Sequence, residues 1–261
     1  MTSFSLELGG VNIHRGNSRL ISNINFQLNP GERVALLGSN GAGKSTFLEA
    51  LVGLHPMSGG VYKAFGRTLK EERDFRQIWS KIGLVFQDSD DQLFCPSVIE
   101  DVAFGPINLG HCPKDARMIA LATLEKLGLD GLSERITHKL SGGEKRLVSI
   151  ATVLAMNPEI ILLDEPTTGL DENVRQRLID CLAKLPQALL FTSHDQYLID
   201  HLATRAVFIK NRTLVNSILH KHPHIHVHSH KHVHPEDEPT HPHASSFDHV
   251  ELYHRGDAHQ S

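Results

Sequence analysis

The chain has 261 residues, a formal net charge of −4 and a hydrophobic fraction of 40%. These values fit one large or two small domains with a real core, and the charge gives no sign of nucleic-acid binding. No apolar run reaches the roughly 18 residues of a membrane-spanning helix, and Met1 to Phe4 show no secretory signal. Cys95, Cys112 and Cys181 are scattered without a CxxC spacing, so we expect reduced cytosolic thiols.

The first 37 residues hold alternating apolar positions: Phe4, Leu6, Leu8, Ile24, Phe26 and Leu28. A period of two predicts antiparallel strands. Asn29-Pro30-Gly31 predicts a turn, and the apolar run from Arg33 to Leu37 predicts a short buried strand.

The residues after that strand spell GxxxxGKS: Gly38, Ser39, Asn40, Gly41, Ala42, Gly43, Lys44 and Ser45. A helix is predicted from Thr46 to Leu54, which gives the strand–loop–helix context of a phosphate-binding loop. Its glycines let backbone N–H groups converge where the helix N-terminus adds partial positive charge. We expect Lys44 to meet the β- and γ-phosphates and the Ser45 hydroxyl to bind Mg²⁺, rather than an ordinary glycine-rich turn.

Helical patterning follows from about Asp88 to His138. It is clearest from Lys114 to Leu127, where one stripe is apolar: Ala116, Ile119, Ala120, Leu124 and Leu127. A further helix is predicted from an N-cap at Ser141 to Met156, where Asn157-Pro158 ends it.

Two short apolar runs, Ile160–Leu163 and Ala188–Thr192, have the length of parallel-sheet strands. Asp164 and Glu165 follow the first run. At the carboxyl edge of a sheet, Asp164 can face the bound Mg²⁺, and Glu165 can deprotonate a water that attacks the γ-phosphate. His194 follows the second run and can hold that water in line. The alternatives are a solvated loop and a structural histidine.

Leu140-Ser141-Gly142-Gly143-Glu144 places two glycines at the mouth of the capped helix, which predicts a second anion-binding surface. One compact domain has no evident use for two phosphate sites. If two copies face each other head to tail, each nucleotide is closed by the other copy's Ser141 and Gly143.

With this motif the sequence resembles the ATPase subunits of ABC transporters over about residues 4 to 215. The family's motifs occur in its order: the phosphate loop, Gln87 of the glutamine loop, the LSGGE signature at 140–144, Asp164-Glu165-Pro166, the loop Gly169-Leu170-Asp171, and His194.

The resemblance implies a role for each of these positions. The implied nucleotide-binding set is residues 38–45 with Thr46, Arg15, Ser141, Gly143 and Asp171, of which Ser141 and Gly143 act on the ATP of the opposite subunit. The implied Mg²⁺ set is Ser45, Gln87 and Asp164. The implied catalytic set is Glu165 as the base, His194 as the γ-phosphate switch and Gln87 as the sensor of the metal and of a membrane partner.

One position departs from the family pattern. Arg15 stands where the family usually carries an aromatic residue that stacks on adenine. A guanidinium plane also stacks on a base, so binding is retained with weaker base discrimination, and His14 could share the role.

Residues 83–94 and 100–106 resemble the energy-coupling-factor importers, whose ATPases take up vitamins and metal ions with a membrane coupling protein. The alternative is generic sequence of the helical subdomain. A partner's cytoplasmic helix is expected to dock between Gln87 and Phe104, so a charge at Leu93 or Phe94 should uncouple transport.

Thirteen of the 19 histidines lie from His220 onward, and eight alternate without a gap: His220, His222, His224, His226, His228, His230, His232 and His234. In an extended chain all eight imidazoles share one face, roughly 6.5–7 Å apart at Cα, so neighbours can hold a metal ion. Several prolines predict a disordered tail. Imidazole suits Ni²⁺, Cu²⁺, Zn²⁺ and Co²⁺, so the tail does not name the cargo. A solvated polar tail is the alternative.

These patterns predict an α/β fold: a P-loop nucleotide-binding core with an antiparallel β edge and a helical subdomain at about 88–157, within an ATPase domain of residues 1–219. A disordered His-rich tail follows at 220–261. The expected function is Mg²⁺-dependent ATP hydrolysis that drives nickel or cobalt import, with Ni²⁺ or Co²⁺ also held by the tail.

The expected assembly is a homodimer with an integral membrane coupling protein and a substrate-binding membrane protein, on the cytoplasmic face of the inner membrane. No nucleic-acid partner is expected. The alternatives are import of a vitamin or zinc, an ABC ATPase without a transporter, and a metal-storage protein.

Overall fold

The computed structural model describes residues 5–217. Within them the strands are β1 (Leu6–Arg15), β2 (Ser18–Leu28), β3 (Arg33–Gly38), β4 (Met57–Ser58), β5 (Val61–Ala64), β6 (Arg67–Leu69), β7 (Ile82–Val85), β8 (Ile160–Asp164), β9 (Ala188–Thr192), β10 (Arg205–Lys210) and β11 (Thr213–Ser217). The helices are α1 (Lys44–Leu51), α2 (Glu72–Arg76), α3 (Val98–Asn108), α4 (Pro113–Lys126), α5 (Gly142–Leu154), α6 (Glu172–Ala183) and α7 (Gln196–Leu202).

The strands form two sheets. The smaller is antiparallel, in the order β2-β1-β5-β6 with β4 paired to β1. The larger runs β11-β10-β3-β9-β8-β7 and is parallel except for the antiparallel edge strand β11. The predicted pairing of the first two strands is confirmed, with Leu6 opposite Leu28 and Leu8 opposite Phe26.

Both faces of the parallel sheet are covered, which explains why its strands are apolar throughout. Ile160 and Leu162 of β8 enter a core shared with α1 and the antiparallel sheet. Ile161 and Leu163 point the other way, into a core shared with α3 to α7. The buried stripe predicted for α4 is confirmed, since Ala116, Ala120 and Leu124 are fully buried there.

The register of the sheet brings its functional ends together. Thr192 at the end of β9 pairs with Asp164 on one side and with Leu36 on the other. Because these strands are parallel, the residues that follow β3, β8 and β9 emerge at one edge. The phosphate loop, Glu165 and His194 therefore lie close together.

Two predicted helices have different boundaries in the structure. The helix expected at 46–54 is α1, which begins two residues earlier at Lys44 and ends at Leu51. Gly53 follows the helix with a left-handed φ of +88°, which does not continue a helix. A Cβ there would lie 2.8 Å from the Phe75 ring, so the position requires glycine. The helix expected to reach Met156 ends at Leu154, before Asn157 adopts a φ of +49°.

The segment 88–157 is helical, as predicted: it holds α3, α4, α5 and three short 3₁₀ turns. Within residues 5–217 no helix combines the length and the apolar character needed to cross a membrane. Phe4 and the histidine-rich segment from 220 to 261 lie outside the described residues.

Candidate nucleotide-binding site

The phosphate loop ends in a helix with an open N-terminus. Gly43 occupies the N-cap position of α1 with a φ of +101°, and a Cβ there would lie 2.8 Å from Leu20 Cδ2. No side chain caps α1 and its first turn carries no acidic residue. The first N–H groups of a helix lack intrahelical partners, so this arrangement suits an anionic ligand.

Lys44 lies inside this loop rather than in solvent, with only 9% of its surface exposed. Its Nζ donates to the Gly38 carbonyl at 3.0 Å and lies 3.5 Å from the Ser39 carbonyl. His194 Nε2 is 3.3 Å away. No carboxylate of the described residues lies within salt-bridge distance of this buried ammonium, and a phosphate would supply the missing negative charge.

Asp164 is fixed at the end of β8 by a neighbouring strand. Its Oδ1 accepts a hydrogen bond from Thr192 Oγ1 at 2.6 Å, and Thr192 Oγ1 in turn accepts one from the Glu165 backbone N–H at 2.9 Å. Thr192 is fully buried. One hydroxyl thus holds both acidic residues in place.

Glu165 has features of a general base. Its backbone φ of +47° is in the left-handed region, and the residue is 8% exposed. Its Oε2 accepts the His194 backbone N–H at 3.3 Å. Its Oε1 is buried and lies 3.5 Å from His194 Nε2, yet accepts no hydrogen bond from the described residues. A buried carboxylate oxygen without a donor can accept a proton from a water.

Arg146 of α5 joins the helical segment to the site. Its guanidinium donates to the carbonyls of Asp164 at 3.0 Å, Glu165 at 2.6 Å and Phe86. Burial lowers the pKa of Arg146, whereas the nearby carboxylates of Asp164 and Glu165 act to raise it. Because Phe86 precedes Gln87, one side chain positions both the glutamine loop and the two acidic residues.

Most predicted site residues line one cavity of about 500 Å³. Its lining is Arg15, Leu20, Asn40, Gly41, Gly43, Lys44, Ser45, Thr46, Gln87, Asp164, Glu165, Thr168 and His194. Leu20 and Thr168 were not predicted. A hydroxyl, an amide and a carboxylate from Ser45, Gln87 and Asp164 share this space, and such oxygen ligands fit Mg²⁺. His14 is directed elsewhere, with its Nε2 2.7 Å from Ser58 Oγ.

Six predicted residues of the described chain do not line this cavity: Gly38, Ser39 and Ala42 of the phosphate loop, and Ser141, Gly143 and Asp171. Ser141 is the N-cap of α5, as predicted: its Oγ accepts the Glu144 N–H at 3.3 Å, and the Glu144 carboxylate accepts the Ser141 N–H at 2.8 Å. That backbone donor, together with Arg135, holds the pKa of Glu144 below its usual value. Asp171 caps α6 by accepting the Val174 N–H. Gly143 lies in the first turn of α5.

The profile of the ABC transporter family matches residues 21–168. The chain belongs to this family. An ABC transporter ATP-binding protein of Brucella suis is 47% identical over 217 residues, 83% of this chain and 90% of that protein. The energy-coupling factor transporter ATP-binding protein EcfA of Methanothermobacter thermautotrophicus is 46% identical over 192 residues, 72% of this chain and 61% of that protein.

Solved structures of ABC ATPases share the fold. CbiO1 of Clostridium perfringens, part of the ABC transporter complex cbiONQ, gives a TM-score of 0.72 at 30% identity over 81% of this chain and 87% of that one. The dimeric cassette MJ0796 bound to ADP and Pi gives 0.73 at 25% identity, over 81% and 98%. The predicted P-loop ABC ATPase fold is confirmed, and this ABC ATPase binds and hydrolyses ATP with Mg²⁺. An ABC ATPase without a transporter is not favoured.

Proposed function

We propose that this ABC ATPase drives an importer of the energy-coupling-factor type whose cargo is nickel or cobalt. The observation that carries the ATPase activity is the buried Glu165 Oε1, which accepts no hydrogen bond from the described residues. It lies 3.5 Å from His194 Nε2, which in turn lies 3.3 Å from Lys44 Nζ. The importer type is supported by the similarity to EcfA and to a CbiO1 protein.

In this proposal Lys44 and the loop N–H groups bind the β- and γ-phosphates, and Arg15 stacks on the base. Ser45, Gln87 and Asp164 would hold Mg²⁺, which would supply positive charge beside the phosphates.

Glu165 takes the proton of the attacking water, so that ATP and water give ADP and phosphate. His194 contacts the γ-phosphate and keeps the water in line.

The proposed assembly is a head-to-tail homodimer in which Ser141 and Gly143 close the ATP of the other copy, with Asp171 in the adjoining loop. Its support is that these residues cap or begin helices instead of lining the single-chain cavity. The similarity to a dimeric ABC cassette points the same way.

A membrane coupling protein is proposed to dock in a groove of about 440 Å³ lined in part by Trp79, Phe94, Phe104 and Leu109. Phe94 is 65% exposed, and its ring meets that of Phe104 edge to face at 4.8 Å. Leu93 was predicted to belong to this surface, but it is 9% exposed and packs in the core. A charge at Leu93 would therefore destabilise the fold. The same partners would hold the chain at the cytoplasmic face of the inner membrane.

The argument for a metal cargo comes from the sequence alone, from the alternating histidines His220 to His234. Their imidazoles bind metal in the neutral form, so affinity should fall as the pH drops below about 6.5. Equilibrium dialysis against Ni²⁺ at pH 7.5 and 5.5 should show that deleting 220–261 removes most binding and leaves ATPase activity intact. Equal binding by both proteins would remove the tail from the argument.

Uptake of radioactive Ni²⁺ and Co²⁺ tests the whole proposal in cells that express this chain with its membrane partners. We expect accumulation with the natural chain and none with Lys44→Ala. ATP hydrolysis without uptake of either ion would refute the cargo while leaving the ATPase in place.

A further inference from the structure

Asp101 of α3 is a buried acid outside the nucleotide cavity, with 3% of its surface exposed. Its Oδ1 accepts the backbone N–H groups of Phe94 at 3.0 Å and Cys95 at 2.9 Å. Its Oδ2 accepts Thr137 Oγ1 at 3.0 Å. Hydrogen bonds to a buried carboxylate are stronger than neutral ones, so these three contacts fix their donors firmly.

On one side this carboxylate holds the backbone beneath the proposed partner groove. Phe94, whose N–H it binds, has the most exposed large apolar side chain among the described residues. The Phe94 ring packs against Phe104, which lies on the same helix as Asp101. A displacement of Phe94 or Phe104 by a bound partner would therefore be transmitted to Asp101 through direct contacts.

On the other side Asp101 reaches the signature motif. Thr137 is 4% exposed, and its carbonyl accepts the N–H of Leu140, the first signature residue, at 3.2 Å. The Thr137 N–H donates to the Pro96 carbonyl at 3.2 Å. Ser141, the cap of α5, follows directly.

Further backbone bonds join the same two segments. Val98 donates to Arg135 at 3.0 Å and Ile99 donates to Ser133 at 2.9 Å. Segments 94–101 and 133–140 are thus joined along their length, and Asp101 supplies the only side-chain carboxylate among the described bonds between them. A contiguous set of hydrogen bonds such as this one can carry energetic coupling between two surfaces.

We propose that Asp101 and Thr137 form a positioning joint, which sets the signature turn at 140–144 according to what occupies the groove at Phe94. The joint acts through Ser141 and touches no nucleotide itself. This inference rests on the proposed action of the signature on the ATP of a second copy.

Thr137→Val tests the joint in the full-length chain because it removes one donor and keeps the shape of the side chain. Thr137→Ser restores the hydroxyl. Thr123→Val is the matched control, since Thr123 Oγ1 donates to the Ile119 carbonyl at 2.8 Å within α4, away from the joint.

We expect Thr137→Val to lower kcat about tenfold while the Kd for a fluorescent ATP analogue changes less than about twofold. Thr137→Ser should recover most of kcat, and Thr123→Val should match the natural chain. An unchanged kcat in Thr137→Val would overturn the joint. So would an equal loss in Thr123→Val, or a Kd that worsens as much as kcat falls.

A reporter at the groove tests transmission directly. Trp79 is the one tryptophan of the chain, so Trp79→Phe with Phe94→Trp moves the single tryptophan to position 94 of the groove. In a Glu165→Gln background, MgATP should change its emission, and adding Thr137→Val should abolish that change although ATP still binds. Persistence of the change would contradict the joint.

The two proposals fail in different ways. If the natural chain hydrolyses ATP no faster than Glu165→Gln, the proposed function fails. A different set of results would refute the joint alone: the natural chain hydrolyses ATP, Ser141→Arg is inactive, and Thr137→Val is as active as the natural chain.

Discussion

Two glycine-rich helix starts in this molecule differ in how the first backbone N–H groups of the helix find hydrogen-bond partners. α1 begins at a left-handed Gly43, with no capping side chain and no acid in its first turn. α5 begins at Ser141, which exchanges hydrogen bonds with Glu144 in a complete capping box. Both present glycines and partial positive charge, yet only the loop before α1 lines the nucleotide cavity.

The difference indicates that, within one chain, the N–H groups at the start of α1 need the nucleotide as a hydrogen-bond partner and those at the start of α5 do not. α1 leaves its donors for phosphate and carries the buried Lys44 beside them. α5 satisfies its own first turn, so it keeps its shape without a ligand and remains available to one on an outer surface. An open site in one chain and a preformed site for another chain are what a head-to-tail dimer requires.

The largest expected effect separates binding at α1 from chemistry. Glu165→Gln removes the proposed base and leaves the loop intact, so turnover should fall about 10²- to 10⁴-fold while MgATP still binds. The variant should collect as an ATP-bound dimer, measured by light scattering with a parallel ATPase assay. Near-normal turnover would remove Glu165 from the mechanism.

A matched pair of glycine substitutions compares the helix starts themselves. Gly43→Ala forces a Cβ into a φ of +101° and to 2.8 Å from Leu20, so ATP affinity should fall at least about tenfold. Gly143→Ala meets only Leu170 at 3.5 Å, so a single chain should bind ATP as before.

The measurement for this pair is ATP titration at protein concentrations that keep the chain monomeric. If ATP affinity fell equally in both variants, the conclusion that only the start of α1 binds ATP within one chain would be wrong. Circular dichroism should confirm that both variants retain their helices.

The smallest expected effect is a pH dependence at the start of α5, whose first turn carries Glu144, whereas the first turn of α1 carries no acidic residue. The lowered pKa of Glu144 means that its charge stabilises the fold above the unfolded-state pKa, and that this is lost as pH falls through the lower folded value. Glu144→Gln keeps the cap but not the charge, so urea unfolding should show about 0.3–0.5 kcal/mol less stability at pH 7.

Because a protonated Glu144 resembles the glutamine, that difference should vanish in acid, below the folded-state pKa. A difference that is the same at pH 7 and in strong acid would show that the charge is not its cause.

Sequence patterns predicted those parts of the site whose residues are close together in the chain. The loop at 38–45 and the residues after β8 and β9 could be predicted because parallel strands deliver their ends to one edge. Thr192, Leu20 and Arg146 were missed because each acts on residues that are distant in sequence. Thr192 reaches Asp164 across a strand pair, and Arg146 spans from a helix to two loops.

The segment between α1 and β8 was predicted less completely. β4 and β6 have two and three residues, too few to show a periodic pattern. His14 of β1 could have shared the contact to adenine with Arg15, but its Nε2 lies 2.7 Å from Ser58 Oγ. Ser141 and Gly143 remain predictions as contacts to a second ATP.

Mixing two inactive variants tests the division between α1 and α5 most directly. Lys44→Ala disables the loop and Ser141→Arg disables the signature, so a mixed dimer holds one site with both parts intact and one with both defects. We expect ATPase activity to rise above that of either variant alone, to about a quarter of the natural level if the sites act independently. A mixture no more active than its parents, with Ser141→Arg hydrolysing ATP as a monomer, would contradict the head-to-tail account.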